Sequence, residues 1–458
     1  MRKEIPENFI YEDDNLRYEF HNNDFTKDLY KLFDNKANKL GLDSKIDDLL
    51  SGKVVNTTEN QGAFHPKYRK NNGFINEFIK SNTDFAPNIE IPKDNALKNF
   101  MSEVSKCNAE NIVSLGIGGS YEGPRLLIES LGSEDKLSSY KHYFITGSDR
   151  VEFEEKLKKL DPKKTVFIVS SKSFTTDETI ENLKGAIDWS GDISKFIAVT
   201  ANKKEAQKYN FKHIAEFDNE IGGRYSIWSR ISIAPACFAM PTDGINTFNN
   251  FCKGGSIADK YLSNVESYKE FVKMLSFSDI WFHNAKEKNS RVILSYDWKL
   301  RSLPNYFQQL EMESLGKRPN ENSEFKKTGQ IIFGGFGPTA QHSYFQLLHQ
   351  GTQNICADII LNQDNEYNDL AYSQGITQAR LLSKGAKKLL HDKESINGNI
   401  PVNLFIFDNI DAKKLGFLLA TWEHRVFITS VMLQINPFDQ FGVNAGKIYT
   451  KKFQTEKD

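Results

Sequence analysis

Gln309 and Glu313 stand four residues apart in NYFQQLEMESLGK (305–317), so a helix carries both on one face. Glu313, if partly buried, is the right type of group to take a proton from carbon. Lys317 lies four further on, and the bland alternative is an exposed Glu→Lys pair on a solvated helix. Arg224 follows Gly222-Gly223 in IGGRYSIWSR (221–230), where the glycines let the chain turn sharply and present the guanidinium. It reads either as a surface turn or as a fixed cation aimed at negative charge developing in a cleft. A third cluster, Ser170, Ser171, Lys172, Ser173, Thr175 and Thr176, precedes a helix expected from Asp177. Hydroxyls and backbone N–H groups at a helix start suit a phosphate dianion. A capping box from Thr175 to Glu178 would explain two residues and leave the other hydroxyls and Lys172 unexplained.

Two further stretches carry polar groups in unusual company. QHSYFQLLHQ (341–350) reads as part of one helix, with His342, Phe345, Gln346 and His349 on a shared face. A spacing of seven is too long for two metal ligands on one helix, so a metal is not expected. The histidine moves a proton or is a hydrogen-bonded interface residue. In NPFDQFGVNAGK (436–447), Asp439, Gln440 and Lys447 alternate with Phe438, Phe441 and Val443, which suggests a polar cluster pinned in a pocket or a terminal helix cap. NTTENQGAFHPKYR (56–69) reads as a polar loop leading into a basic turn with a surface histidine, His65.

The elements that must position these groups are α/β. NIVSLGIGGSYEGP (111–124) is an apolar strand that breaks into Gly116, Gly118, Gly119 and Ser120 before a helix, a turn that can seat a phosphate or merely turn tightly. Strands are expected at Asn111–Gly116, His142–Gly147, Thr165–Ser170, Phe196–Thr200 and Phe211–Phe217, with helices such as Glu152–Leu160 and Glu178–Trp189 between them. Such alternation implies a doubly wound parallel sheet with its ligand at the carboxyl ends of the strands. A second α/β unit has strands at Arg291–Tyr296, Gln330–Phe333, Ile355–Leu361 and Val402–Asp408. Its helices are expected at Pro304–Gly316, Ala340–Gln350, Asn368–Lys384 and Ala412–Ile435, and 317–329 reads as a charged loop. The N-terminal 50 residues read as an amphipathic extension, with Leu29, Leu32 and Phe33 on one helix face.

Length and composition bound the rest. The 458 residues suffice for two or three domains, and 39% hydrophobic with 26% charged residues describes an ordinary globular chain. A net charge of −1, from 59 basic and 60 acidic residues, gives no support for nucleic-acid or membrane-surface partners. The four cysteines are scattered without a C-x-x-C, as expected of reduced thiols. No apolar signal region or bilayer-length run is expected.

Six motifs, in order, give the chain a family likeness: GIGGSYEGP (116–124), SSKSFTTDET (170–179), GGRYSIWS (222–229), EMESLGK (311–317), QHSYFQLLHQGT (341–352) and FDQFGVNAGK (438–447). Together they resemble glucose-6-phosphate isomerase in a compact, bacterial-type form. The resemblance implies two doubly wound parallel-sheet sugar-isomerase (SIS) domains, at 72–243 and 244–430. An N-terminal extension (1–71) and a C-terminal helical segment (431–458), both helical, would flank them. It implies a cytoplasmic homodimer that interconverts glucose 6-phosphate and fructose 6-phosphate without metal or cofactor. In that likeness Ser171, Lys172, Ser173 and Thr176 hold the phosphate, and Gly119 and Ser120 lie beside the sugar. Glu313 is the base, Arg224 stabilises the enediolate, and His349 and Lys447 open the ring, His349 coming from the other subunit. Gln309 and Gln440 contact substrate. The chain departs from the family at Gln61, where an arginine is expected, at Tyr121-Glu122 for Asp-Leu, at Gly335-Phe336 for Glu-Pro, and at Pro338-Thr339-Ala340 for Thr-Asn-Gly. A glutamine-dependent aminotransferase is disfavoured by Arg2, where that enzyme needs an N-terminal cysteine. A non-catalytic sugar-phosphate binder is disfavoured by the presence of Glu313, Arg224, His349 and Lys447. Tyr121 stands where a dinucleotide G-x-G-x-x-G would need its last glycine.

Overall fold

A computed structural model describes residues 9–21, 24–71, 96–132, 140–240, 244–363, 370–387 and 391–456. The boundaries expected at 72 and 243 fall outside the described residues. Among the described residues, eleven strands form two sheets. The first sheet is five-stranded and wholly parallel, built from β3 (Asn111–Leu115), β4 (Lys141–Ile145), β5 (Thr165–Ser170), β6 (Phe196–Thr200) and β7 (His213–Glu216) in the order β4-β3-β5-β6-β7. The sequences TVFIVS and FIAVT are buried at every position, as parallel strands covered on both faces must be. The order reverses between β3 and β5, so the crevice outside their carboxyl ends is where this architecture binds ligands.

The second sheet has six strands in the order β1-β2-β11-β10-β8-β9. Its parallel part is β8 (Ser290–Ser295), β9 (Ile331–Phe336), β10 (Ile355–Asn362) and β11 (Val402–Phe407), and the order β9-β8-β10-β11 repeats that of β4-β3-β5-β6 in the first sheet. The N-terminal extension differs from the helical reading. It opens with a hairpin, β1 (Phe9–Glu12) and β2 (Arg17–His21), and β2 pairs antiparallel with β11. RYEFH alternates, so Tyr18 and Phe20 are buried while Arg17, Glu19 and His21 are half-exposed. The Tyr18 hydroxyl donates to Asn403 Oδ1 at 2.7 Å, and Asn403 Nδ2 donates to Asp358 Oδ1 at 2.5 Å. The expected helix follows at Lys27–Lys39, with Phe33 buried and Leu29 partly so, but Leu32 is exposed to solvent.

The Ala412–Leu433 helix is buried at every position from Leu415 on and runs against the Gly244–Asn264 helix. The two approach at glycines: a Cβ on Gly254 would lie 1.8 Å from Lys413 O, and one on Gly416 1.9 Å from Phe251 O. In mid-helix, Glu423 accepts from Trp228 Nε1 at 2.8 Å and from Arg69. Arg425 donates to Asp279 Oδ2 at 2.7 Å and to Asp358 Oδ2 at 3.0 Å. These charges are paired and hydrogen-bonded, the condition for burying them. His65 and Arg69 are therefore not a surface turn. They lie on a buried helix, His65–Asn71, with Arg69 1% exposed and bidentate to Asp259 at 2.7 and 2.9 Å.

Candidate active site

A cavity of about 730 Å³ opens at the carboxyl ends of β3, β5, β6 and β7. It is lined by Gly118 to Ser120 after β3, Ser171 to Ser173 and Thr176 after β5, Asn202 after β6 and Asn219 after β7. Gly119 opens the Gly119–Leu131 helix and touches the Gly222-Gly223 turn so closely that a Cβ there would lie 1.9 Å from Gly223 O. Gly119→Ala is therefore expected to push the two loops apart. It should lower kcat/KM by about tenfold or more, with a stability loss of about 1–3 kcal/mol, checked by steady-state kinetics and urea unfolding.

The hydroxyl cluster sits as its composition suggests, at the start of a helix, Asp177–Ser190. Ser171 Oγ and Thr176 Oγ1 are 3.1 Å apart, and Phe174 N donates to Ser171 Oγ at 3.1 Å. Phe174 reaches this through a φ of +55°, held by a buried ring packed edge-on against Tyr209 and Phe211. A bulky residue in that conformation is strained, and such strain collects at ligand sites. The capping box does not form: Thr176 is the helix cap and makes no side-chain cap bond, while Thr175 Oγ1 donates to Ser173 Oγ at 2.9 Å. Burial pushes the Lys172 ammonium below its usual range, opposed by Glu59 and Glu220.

The second unit supplies the opposite wall. The Leu303–Leu315 helix buries Leu303, Tyr306, Phe307, Leu310, Ser314 and Leu315 at helical spacing. Its other face presents Gln309 and Glu313 to the cavity, with Gln309 Nε2 donating to Glu313 Oε2 at 3.2 Å. Glu311, between them, points the other way into the core. It accepts from Trp422 Nε1 at 2.6 Å and from Arg291, and burial pushes its carboxyl up. The Glu313 side chain is 25% exposed, and Arg224 Nη1 lies 3.5 Å from its Oε2. Arg224 itself is buried, on a 3-10 turn at Gly223–Trp228. It donates through Nε to Ser314 Oγ at 2.7 Å and through Nη1 to Gln440 Oε1 at 2.7 Å. Gln440 and Lys447 close the rim from the C-terminal stretch, where Lys447 lies on an exposed helix, Asn444–Thr455.

Of the residues singled out from sequence, Gly119, Ser120, Ser171, Lys172, Ser173, Thr176, Gln309, Glu313, Gln440 and Lys447 line this one cavity, and Arg224 contacts two of them. His349 does not. The expected continuous helix breaks at Gln341–Tyr344, so His342 and His349 do not share a face. His349 lies on the short Phe345–Gln350 helix, with Nε2 2.9 Å from Gln378 Oε1. Glu59, Gln61, Asn202 and Asn219 also line the cavity and were not singled out as site residues. Their only signal in the sequence was position just after a strand, or in the polar loop at 56–61.

Residues 19–458 match the phosphoglucose isomerase family. The chain belongs to that family. A glucose-6-phosphate isomerase of Shewanella sp. (strain MR-4) is 33% identical over 475 residues, covering 94% of this chain and 86% of its own. The Shewanella oneidensis relative is 34% identical with the same coverage. In fold, the chain matches a crystal structure of a glucose-6-phosphate isomerase from Chlamydia trachomatis with a TM-score of 0.83, at 22% identity, over 98% of this chain and 90% of that one. In this member of the phosphoglucose isomerase family, Glu313, the hydroxyl cluster and the glycine turn share one cavity.

Proposed function

We propose that this cavity interconverts glucose 6-phosphate and fructose 6-phosphate, with Glu313 carrying the proton between C2 and C1. The reading is supported above all by the convergence of Glu313, Arg224 and the Ser171–Thr176 cluster on one wall-to-wall space of about 730 Å³. The phosphate is unreactive and serves as a handle. Ser171, Ser173 and Thr176 donate to its oxygens at the start of the Asp177–Ser190 helix, with the Lys172 ammonium alongside. With the sugar held there and its ring opened by His349 and Lys447, Glu313 removes the proton beside the carbonyl and returns it to the neighbouring carbon. Arg224 opposes the charge on the enediolate oxygens, and Gln309 and Gln440 hold hydroxyls. Such an aldose–ketose conversion serves glycolysis and gluconeogenesis. Purified protein, without added metal, should convert fructose 6-phosphate in an assay coupled to glucose-6-phosphate oxidation. No turnover there would overturn the reading.

The working unit in this proposal is a cytoplasmic homodimer whose His349 completes the neighbour's site. Two features favour it. His349 stands away from its own chain's cavity. The Asn444–Thr455 helix buries none of its residues in its own chain, leaving Ile448 55% and Tyr449 68% exposed. An apolar helix face of that kind needs a partner. Glu313→Gln and His349→Ala proteins, each inactive alone, should regain activity when unfolded and refolded together, because a mixed dimer carries one complete site. Two inactive proteins that stay inactive as mixed dimers would place His349 in its own chain's site, and an active His349→Ala protein would place it outside catalysis.

A further inference from the structure

We propose that Asp439 and Lys317, neither of which lines the cavity, form a buried clasp that positions Arg224, Gln440 and the 56–61 loop for catalysis. Lys317 lies four residues after Glu313, where a surface ion pair is the simple expectation. Its ammonium instead turns away, to Asp439 Oδ1 at 3.0 Å and to the Asp439 carbonyl. Both side chains are nearly covered, Lys317 15% and Asp439 11% exposed.

Asp439 is tied on every side. Its Oδ2 accepts from Thr58 Oγ1 at 2.8 Å, and its carbonyl also accepts from Arg224 Nη2 at 3.0 Å. The second acceptor of Nη2 is the Pro437 carbonyl. Asn436 Nδ2 reaches Thr58 Oγ1 at 2.7 Å and Asn56 Oδ1 at 2.8 Å. Asn56 Nδ2 in turn holds Glu59, on the cavity wall, at 2.6 Å. Three stretches far apart in sequence (56–59, 314–317 and 436–440) thus meet at one carboxylate.

The charge on that carboxylate has a specific task. Two cations, Lys317 and Arg224, converge on a single carbonyl oxygen in a covered place. Burial above all, with the Arg224 charge, holds the Lys317 ammonium below its usual range against the opposing pull of Asp439. Without the carboxylate, like charges repel at short range with little solvent screening. That repulsion then strains the guanidinium's bonds to Gln440 and to the Pro437 and Asp439 carbonyls, on which its aim at Glu313 depends. The hydroxyls of Ser171, Ser173 and Thr176 are not among the clasp's partners, so the phosphate handle keeps its seat when the clasp is broken.

The clasp rests on the isomerase reading, and wild-type turnover of fructose 6-phosphate is measured first, since its absence sinks that reading and not this one. Asp439→Asn keeps the shape and an acceptor for Thr58 but removes the charge. It is expected to lower kcat by about 10–100-fold while KM moves less than about threefold, the signature of misplacement in the transition state. Lys317→Met should give a similar loss, and Lys317→Arg should restore most of it. The double variant Lys317→Met/Asp439→Asn should lose far less than the product of the single losses, because the two act as one unit. If Asp439→Asn does not fold, Thr58→Val decides, with an expected loss of several-fold in kcat at unchanged KM. Normal kcat in a folded Asp439→Asn or Thr58→Val protein, a rise confined to KM, or multiplicative losses in the double variant would overturn the clasp.

Discussion

Glu313→Gln is expected to lower kcat by about 10²–10⁴-fold, the range ascribed to a positioned general base, while sugar-phosphate affinity changes little. The amide preserves the size and the contact with Gln309 Nε2 at 3.2 Å, so the wall of the cavity keeps its form. What it cannot do is accept and return a proton. The Ser171–Thr176 cluster is at the carboxyl end of β5, on the other sheet, and is untouched by the change. Titration of the variant with glucitol 6-phosphate, which has the phosphate but no carbonyl, should match wild type. Turnover within tenfold of wild type would remove Glu313 from the role of base.

Arg224→Met should lose activity and stability together. Loss of the cation facing developing enediolate charge is worth about 10²–10³ in kcat, by analogy with removing one donor from an oxyanion site. The structural cost has a separate origin. Ser314 Oγ, Gln440 Oε1 and the carbonyls of Pro437 and Asp439 all accept from this one guanidinium. Gln440 is exposed, Ser314 keeps Tyr225 and the Asp439 carbonyl keeps Lys317, so the loss falls mainly on the buried Pro437 carbonyl, at about 1–3 kcal/mol before relaxation. Arg224→Lys keeps the charge but not the fork, so it should recover part of the stability and little of kcat. Urea midpoints and kcat measured on both variants separate the two contributions; equal kcat in Arg224→Lys and wild type would reduce Arg224 to a point charge.

The sequence disclosed those parts whose own residues enforce them. Thr165–Ser170 and Phe196–Thr200 were bounded correctly because short, continuous apolar runs that alternate with amphipathic helices suit strands covered on both faces. The Leu303–Leu315 helix was legible from spacing, and Ser171 to Thr176 from the density of hydroxyls ahead of a helix start. What stayed hidden depends on remote partners. Arg17–His21 is a charged five-residue stretch that becomes a strand between β1 and the distant β11. His65 and Arg69 read as solvated, yet Glu423 and Asp259, far along the chain, make their burial possible. Gln341–Tyr344 interrupts a helix that its composition alone would continue. Glu59, Gln61, Asn202 and Asn219 reach the cavity by the path of the backbone, which no local pattern records.

The hairpin at the N-terminus bears on how the molecule is made. All five strands of the first sheet lie between residues 111 and 216, so that sheet has all its strands before β8 is made. The second sheet has to wait. Tyr18 meets Asn403 across a separation of 385 residues, so β2 gains its second neighbour only once β11 has been made. Closing so long a loop is entropically slow and is repaid late. Until β11 emerges, β2 is an unpaired edge with Tyr18 and Phe20 uncovered, the kind of surface that chaperones hold and that aggregates when they do not.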